Sequence, residues 1–232
     1  MVADREQTFA KVARWLDEIV RVRELACSNV SLVSKEISLL RFRHVNVMTE
    51  FEKMQAGEWY DANFDPELVA MRERVEMLNY AFNQASPADK AARAEALRRL
   101  FPNLGKNVVI LAPCHTDYGV NCFIGDDTFI NHGAYLMDGA KITIGSHCFI
   151  GPNLGCYTAT HALDVERRNA GIEKALPITI GDNCWLGGDV KILPGVTIGE
   201  GSVIGAGSVV TKDVPPHVVA VGNPCRVLRT LR

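Results

Sequence analysis

Aliphatic residues recur at every sixth position along the C-terminal part of this 232-residue chain, and that spacing constrains the fold more than any other feature. Leu186, Ile192, Ile198, Ile204 and Val210 form one unbroken series, which Ile180 extends backwards. Glycine follows several of them, at Gly181, Gly187, Gly199 and Gly205. A small residue or valine sits four places after each aliphatic, at Cys184, Val190, Val196, Ser202, Ser208 and Val214. A helix needs a period near 3.6 and a half-buried strand a period of 2, so neither produces six. A solenoid does: short flat strands, each ending in a turn, each pointing one aliphatic side chain into a narrow core. The series recurs at Ile124, Ile130 and Leu136, and at Ile144, Ile150 and Cys156. Three hexapeptides complete one turn of a triangular prism, so residues about 18 apart stack on one edge, with coils about 4.8 Å apart. Gly188 and Ala206 are stacked in this way, and two such small residues leave a groove along the prism axis for a thin, extended ligand.

The rest of the chain divides into two regions. Residues 1–47 read as an N-terminal extension of unknown role, helical at first with Phe9, Val12, Ala13, Leu16, Ile19 and Val20 on one face. That pattern decays into the basic run Arg41-Phe42-Arg43-His44, and Met48 is a second candidate for the first residue. Residues 48–104 read as helical. Thr49 and Glu52 fit a capping box. Asp65-Pro66 and Ser86-Pro87 each place an N-cap before a proline at the first helical position. Leu68, Met71, Val75, Leu78 and Phe82 then form one apolar face, and Ala91, Ala94, Leu97 and Leu100 another. From 105 onwards the repeat takes over, broken by one insertion between Tyr157 and Ile178.

A net charge of -2 gives no pull towards nucleic acid or an anionic membrane. No apolar run approaches the ~20 residues that span a bilayer, and the charged N-terminus is unlike a secretory signal. Seven cysteines without a CxxC pair read as reduced packing residues, which places the protein in the cytoplasm.

These repeats resemble the hexapeptide acyltransferases, and most closely the maltose and galactoside O-acetyltransferase branch. The resemblance covers 48–232. It rests on Met48-Thr49-Glu50-Phe51-Glu52-Lys53-Met54-Gln55-Ala56-Gly57-Glu58-Trp59-Tyr60-Asp61, on Gly205 to Asp213, and on Gly222-Asn223-Pro224-Cys225-Arg226. It implies a mainly β fold, a left-handed parallel β-helix preceded by a small helical domain, assembled as a homotrimer. It also implies acetyl transfer from acetyl-CoA to a sugar hydroxyl, with no metal.

Residue by residue, His161 in Thr158-Ala159-Thr160-His161-Ala162-Leu163-Asp164 matches the family's catalytic histidine. The usual continuation is His-Pro, so the loop is expected to be less rigid here. Imidazole titrates near 6.5 and can take a hydroxyl's proton during attack. Asn131 matches the family's active-site asparagine, although such a residue at a solenoid corner also serves as a left-handed turn. The resemblance assigns acceptor binding to Asp61, Asp117, Asp138 and Glu173, since ionised carboxylates accept several hydroxyl hydrogen bonds. Glu173 is open to a second role, orienting His161. For the coenzyme it implies Trp185 against the thioester arm and the backbone N–H of Gly188 at the oxyanion. Ala206 and Thr211 continue the groove, and Lys212, Arg226 and Arg229 face the phosphates.

Two other readings use the same scaffold. A γ-type carbonic anhydrase needs three zinc-binding histidines, and His115, His132 and His147 are spaced by 17 and 15. That family's pair five residues apart is missing, as is any cysteine cluster. The second is a sugar- or partner-binding solenoid without catalysis. Within the enzyme reading, the acceptor is a mono- or disaccharide, with a xenobiotic or an oligosaccharide as the alternative.

Overall fold

The structure, a computed structural model, describes residues 48–232; the expected amphipathic face at Phe9 to Val20 and the rest of 1–47 lie outside the described residues. From Asn103 onwards the chain winds into a parallel β-helix with three faces. The first face stacks Asn103–Leu104, Cys122–Ile124, Ile142–Ile144, Ile178–Ile180 and Thr197–Ile198. The second stacks Val109–Ile110, Phe129–Ile130, Phe149–Ile150, Trp185–Leu186, Val203–Ile204 and Val218–Val221, and Arg226–Thr230 pairs antiparallel with the last of these. The third stacks Cys114–Thr116, Ala134–Met137, Gly155–Tyr157, Lys191–Ile192 and Val209–Val210.

The six-residue series deals its members to these faces in turn. Ile124, Ile144, Ile180 and Ile198 line the first, Ile130, Ile150, Leu186 and Ile204 the second, and Leu136, Cys156, Ile192 and Val210 the third. All are buried, in one continuous core. Each is removed from water at a gain of roughly 1.5–3 kcal/mol per side chain. The early coils depart from the 18-residue period: Val109, Phe129 and Phe149 stack at intervals of 20, whereas Trp185 and Val203 are 18 apart. The additional residues enlarge the corner after the third face, around Asp117 and Asp138.

Helix α1 (Glu50–Gln55) begins at Thr49 with the expected capping box, and α2 (Pro66–Gln84) at Asp65 with proline in its first turn. Helix α3 (Lys90–Leu100) begins later than Ser86-Pro87 predicts. Asp89 accepts a hydrogen bond from the Ala92 N–H and takes the cap, while Ser86 closes a preceding turn through Asp89 N–H. On α2, Asn79 and Asn83 are one turn apart and both face Cys114–Thr116, the terminal strand of the third face. Asn79 exchanges hydrogen bonds with Thr116 N–H (3.2 Å) and C=O (2.8 Å), and Asn83 with Cys114 N–H (2.9 Å) and C=O (3.0 Å). Two side-chain amides thus take the place of a missing neighbouring strand and cover an edge that would otherwise be open for pairing.

The region read as helical contains the strand β1 (Trp59–Asp61) and, at its end, the first prism strand Asn103–Leu104. The insertion supplies two more, β2 (Ala159–His161) and β3 (Ile172–Ala175), separated by the short helix α4 (Val165–Asn169). These form a separate antiparallel sheet in the order β1-β3-β2. Three residues are too few for a period to be legible, and the partner of β1 lies more than a hundred positions away.

Candidate active site

The sheet's register builds the site. Tyr60 lies opposite Glu173, and Glu173 opposite His161, so one row crosses all three strands. Tyr60 is 2% exposed and its hydroxyl donates to Glu173 Oε2 at 3.2 Å. Glu173 Oε1 lies 3.5 Å from His161 Nε2. The imidazole itself remains half exposed. Burial, with the charge of Glu173 beside it, raises the Tyr60 hydroxyl above its ordinary value, so it stays a donor. His161 is held by strand pairing, and Ala162 behind it is buried with its carbonyl accepting from Arg168.

Asp138 is corrected by the structure. It is 0% exposed, and its carboxylate accepts from Thr116 Oγ1 (2.6 Å) and from the N–H groups of Asp117 (3.1 Å), Tyr118 (2.8 Å) and Asn121 (3.2 Å). No surface is left for a sugar hydroxyl. Its work is to hold the corner of the coil below, which carries Asp117 and Tyr118. Burial raises its carboxyl above the usual range, against the lowering effect of those bonds.

Asp117 is half-buried and accepts from Tyr135 Oη at 2.5 Å; burial raises its carboxyl, and the nearby charges of Asp138 and Glu173 add to the effect. Arg72 on α2 donates to Tyr118 Oη at 2.8 Å. Asp61 is adjacent to the row, but as the next residue after Tyr60 its side chain leaves the opposite side of the strand. There it accepts from Phe64 N–H at 2.9 Å.

A second group gathers on the corner between the second and third faces. Asn131, Gly151, Gly187 and Gly205 stack there, followed by His132, Pro152, Gly188 and Ala206. Asn131 is absent from the residues with positive φ, so it is not a left-handed turn, and its Oδ1 accepts from His132 N–H at 2.8 Å. The Gly188 carbonyl accepts from Gly207 N–H, whereas the Gly188 N–H makes no hydrogen bond among the described residues. Beside this corner Trp185 stands outward on the second face, in a column running through Val203 and Val219 to Arg229. At the strand spacing, that run spans roughly 14 Å. Thr211 and Lys212 lie elsewhere, at the corner after the third face, so within one protomer they do not continue the Gly188–Ala206 edge. Arg226 is exposed at the start of the terminal strand.

The three histidines of the carbonic anhydrase reading do not converge. His115 faces Asn83, His132 bonds the Ala112 carbonyl and His147 faces Asp127, each on a different side of the prism. Among the described residues no cluster of three or more His, Cys, Asp or Glu is arranged to hold a metal. The six described cysteines are buried and unpaired, and burial pushes the Cys114 and Cys156 thiols up to about 12, which makes them poor nucleophiles. Sequence reasoning gave no role to Tyr60, Arg72, Tyr118 or Tyr135.

Comparison with known proteins places this geometry. Residues 53–105 match the maltose acetyltransferase hexapeptide capping motif, and 177–212 match the bacterial transferase hexapeptide, six repeats. A maltose O-acetyltransferase of Clostridium difficile 630 is 46% identical, with a TM-score of 0.77 over 80% of this chain and 98% of its own. A hexapeptide-repeat acetyltransferase of Vibrio cholerae, solved with acetyl coenzyme A, is 44% identical, with a TM-score of 0.73 over 80% and 100%. A galactoside acetyltransferase solved with coenzyme A is 39% identical, with a TM-score of 0.76 over 80% and 92%. With a capping motif, a six-residue repeat and near full-length relatives in agreement, the chain belongs to the hexapeptide-repeat acetyltransferases, in the maltose and galactoside acetyltransferase branch.

Proposed function

We propose that the protein transfers an acetyl group from acetyl-CoA to a hydroxyl of a mono- or disaccharide, with His161 as the general base. The observation that carries this reading is the row Tyr60–Glu173–His161, which presents a half-exposed imidazole backed by a carboxylate. In the reaction the sugar hydroxyl oxygen attacks the thioester carbonyl while the imidazole takes its proton. Glu173 stabilises the imidazolium. The tetrahedral oxyanion is received by an unpaired backbone N–H, for which Gly188 fits. Its collapse breaks the carbon–sulfur bond, and the departing thiolate recovers the proton as free coenzyme A. Trp185 and the column to Arg229 suit an extended ligand with an anionic end, and Lys212 and Arg226 complete the phosphate-facing charge. Asn131, Asp61 and Asp117 are the remaining acceptor-side groups.

The second face also supports a homotrimer. Val109, Phe149 and Trp185 stand on one outward column at 45%, 63% and 58% exposure, an apolar strip of the kind that a second copy covers. In that assembly Thr211 and Lys212 of one copy can approach the Gly188 edge of the next. No described helix is long and apolar enough to cross a membrane, and the unpaired cysteines fit a reducing compartment, so a cytoplasmic location belongs to the proposal.

The test is thiol release from acetyl-CoA with a panel of sugars, on wild type and His161→Ala. Wild type is expected to turn over and the variant to lose roughly 10²- to 10⁴-fold while still binding the coenzyme by calorimetry. Near-normal turnover by the variant removes His161 as base. Coenzyme binding without turnover on any acceptor, in wild type, makes the protein a binding solenoid instead.

A further inference from the structure

The row Tyr60–Glu173–His161 belongs to a sheet that shares no strand with the prism, so its seat on the coils depends on other contacts. One residue gathers several of them. Strand Gly155–Tyr157 of the third face runs on through Thr158 directly into β2, three residues before His161. The insertion also returns there, where the Leu176 N–H donates to the Thr158 carbonyl at 2.8 Å. Thr158 is fully buried, and all of its polar groups are bonded. Its N–H donates to the Met137 carbonyl at 3.3 Å, and its hydroxyl donates to the same carbonyl at 2.5 Å. The hydroxyl also accepts from the Ala140 N–H at 3.1 Å.

Met137 and Ala140 flank Asp138-Gly139, the corner whose carboxylate holds the coil below. One hydroxyl therefore bridges that corner and ties it to the strand that carries the imidazole. Gly139 meets the sheet at the same place. A Cβ there would lie 3.2 Å from Tyr60 Oη and 3.3 Å from Ala175 Cβ, so the bare backbone lets the row sit close. Gly139 is absent from the positive-φ positions, so space rather than backbone conformation calls for it.

We propose that Thr158 is a positioning residue for acetyl transfer: its hydroxyl seats the sheet on the corner 137–140 and so sets where His161 stands. The proposal rests on the reading of His161 as the base and adds the group that places it. A base displaced by about 1 Å can lose on the order of 100-fold in rate, although nothing at the reacting atoms has changed. Thr128 is the matched case elsewhere in the prism. It is 1% exposed, and its Oγ1 donates to the Gly145 carbonyl at 2.7 Å and accepts from the Cys148 N–H at 3.1 Å. Those bonds run only between coils of the prism.

The test combines steady-state kinetics, with acetyl-CoA and the sugar that wild type uses best, and melting curves on the full-length protein. Thr158→Val keeps the shape and removes the hydroxyl. Its kcat is expected to fall by about 10- to 100-fold at temperatures well below its melting point, with KM for acetyl-CoA little changed. Thr158→Ser, which keeps the hydroxyl, should recover most of kcat. Thr128→Val should melt lower, as Thr158→Val does, yet keep the kcat of wild type. If Thr158→Val does not fold, Gly139→Ala decides: its added methyl wedges the row away from the corner, and kcat should fall likewise. Wild-type kcat in Thr158→Val, or in Gly139→Ala where that variant decides, overturns the positioning role. So does an equal loss of kcat in Thr128→Val. With His161→Ala inactive, such a result leaves the base reading standing. A fully active His161→Ala, or no turnover by wild type, overturns both.

Discussion

Glu173 Oε1 lies 3.5 Å from His161 Nε2 because β3 and β2 pair in a register that sets the two residues opposite each other. The same register brings the Tyr60 hydroxyl to the other carboxylate oxygen. At 3.5 Å the contact is looser than a standard hydrogen bond, as unliganded catalytic pairs often are, and it should tighten once the imidazole is charged.

Glu173→Gln keeps the size of the side chain and removes the charge that, in the proposed mechanism, supports the imidazolium. Turnover is expected to fall by about 10-fold or more, with KM for acetyl-CoA little changed. Tyr60→Phe should give a smaller loss in the same direction, below the ~1.4 kcal/mol that a tenfold change represents. Steady-state kinetics on both variants check the order. A Tyr60→Phe effect on KM for acetyl-CoA alone would count against the row.

Asp138→Asn tests the clamp. The native carboxylate accepts four hydrogen bonds and donates none, so an amide NH₂ must face at least one N–H or O–H donor. The expected cost is about 1–3 kcal/mol. For a protein of this size that lowers Tm by roughly 2–4 °C per kcal/mol, read by calorimetry. Unchanged stability would contradict the clamping role.

Asp117→Asn is expected to behave oppositely. Burial raises the Asp117 carboxyl in the folded state, so its favourable contribution is complete below the unfolded value near 3.9 and is lost as pH rises through the folded value. At neutral pH the ionised carboxylate is a burden. The asparagine variant, whose carbonyl can still accept from Tyr135, should therefore melt no lower than wild type at pH 7. Any advantage should shrink towards pH 4. Melting curves across that range decide it, and a variant less stable at pH 7 than at pH 4 relative to wild type would reverse the sign.

Asn79→Leu removes the side chain that pairs with both backbone groups of Thr116, leaving a buried N–H and C=O without partners. A loss of about 2 kcal/mol or more is expected in chemical denaturation. A neutral effect would show that the strand edge needs no such cover.

The prism was legible in the sequence because its contacts repeat: one core residue every six positions, each stacked on the same kind of residue in the next coil. His161 and Glu173 stood out as candidates, with two roles open for Glu173, acceptor binding or orienting His161; the contact between them depends on the return of the insertion upon itself, which no local pattern fixes. Tyr60 escaped because its partner is 113 positions away, and nothing local marks a three-residue strand between helices. Asp138 was misread for a different reason. A motif specifies a carboxylate but says nothing of how deeply it is enclosed. Asn79 and Asn83 left a trace that went unused, as two polar residues four apart beside the buried stripe of Leu68, Val75 and Phe82.

The small antiparallel sheet draws one strand from ahead of the prism and two from an excursion midway along it. Grafting a relative's insertion onto this chain without its matching Trp59–Asp61 segment would mismatch three hydrogen-bonded strands at once, so these distant pieces of sequence must be exchanged together if the imidazole is to keep its backing.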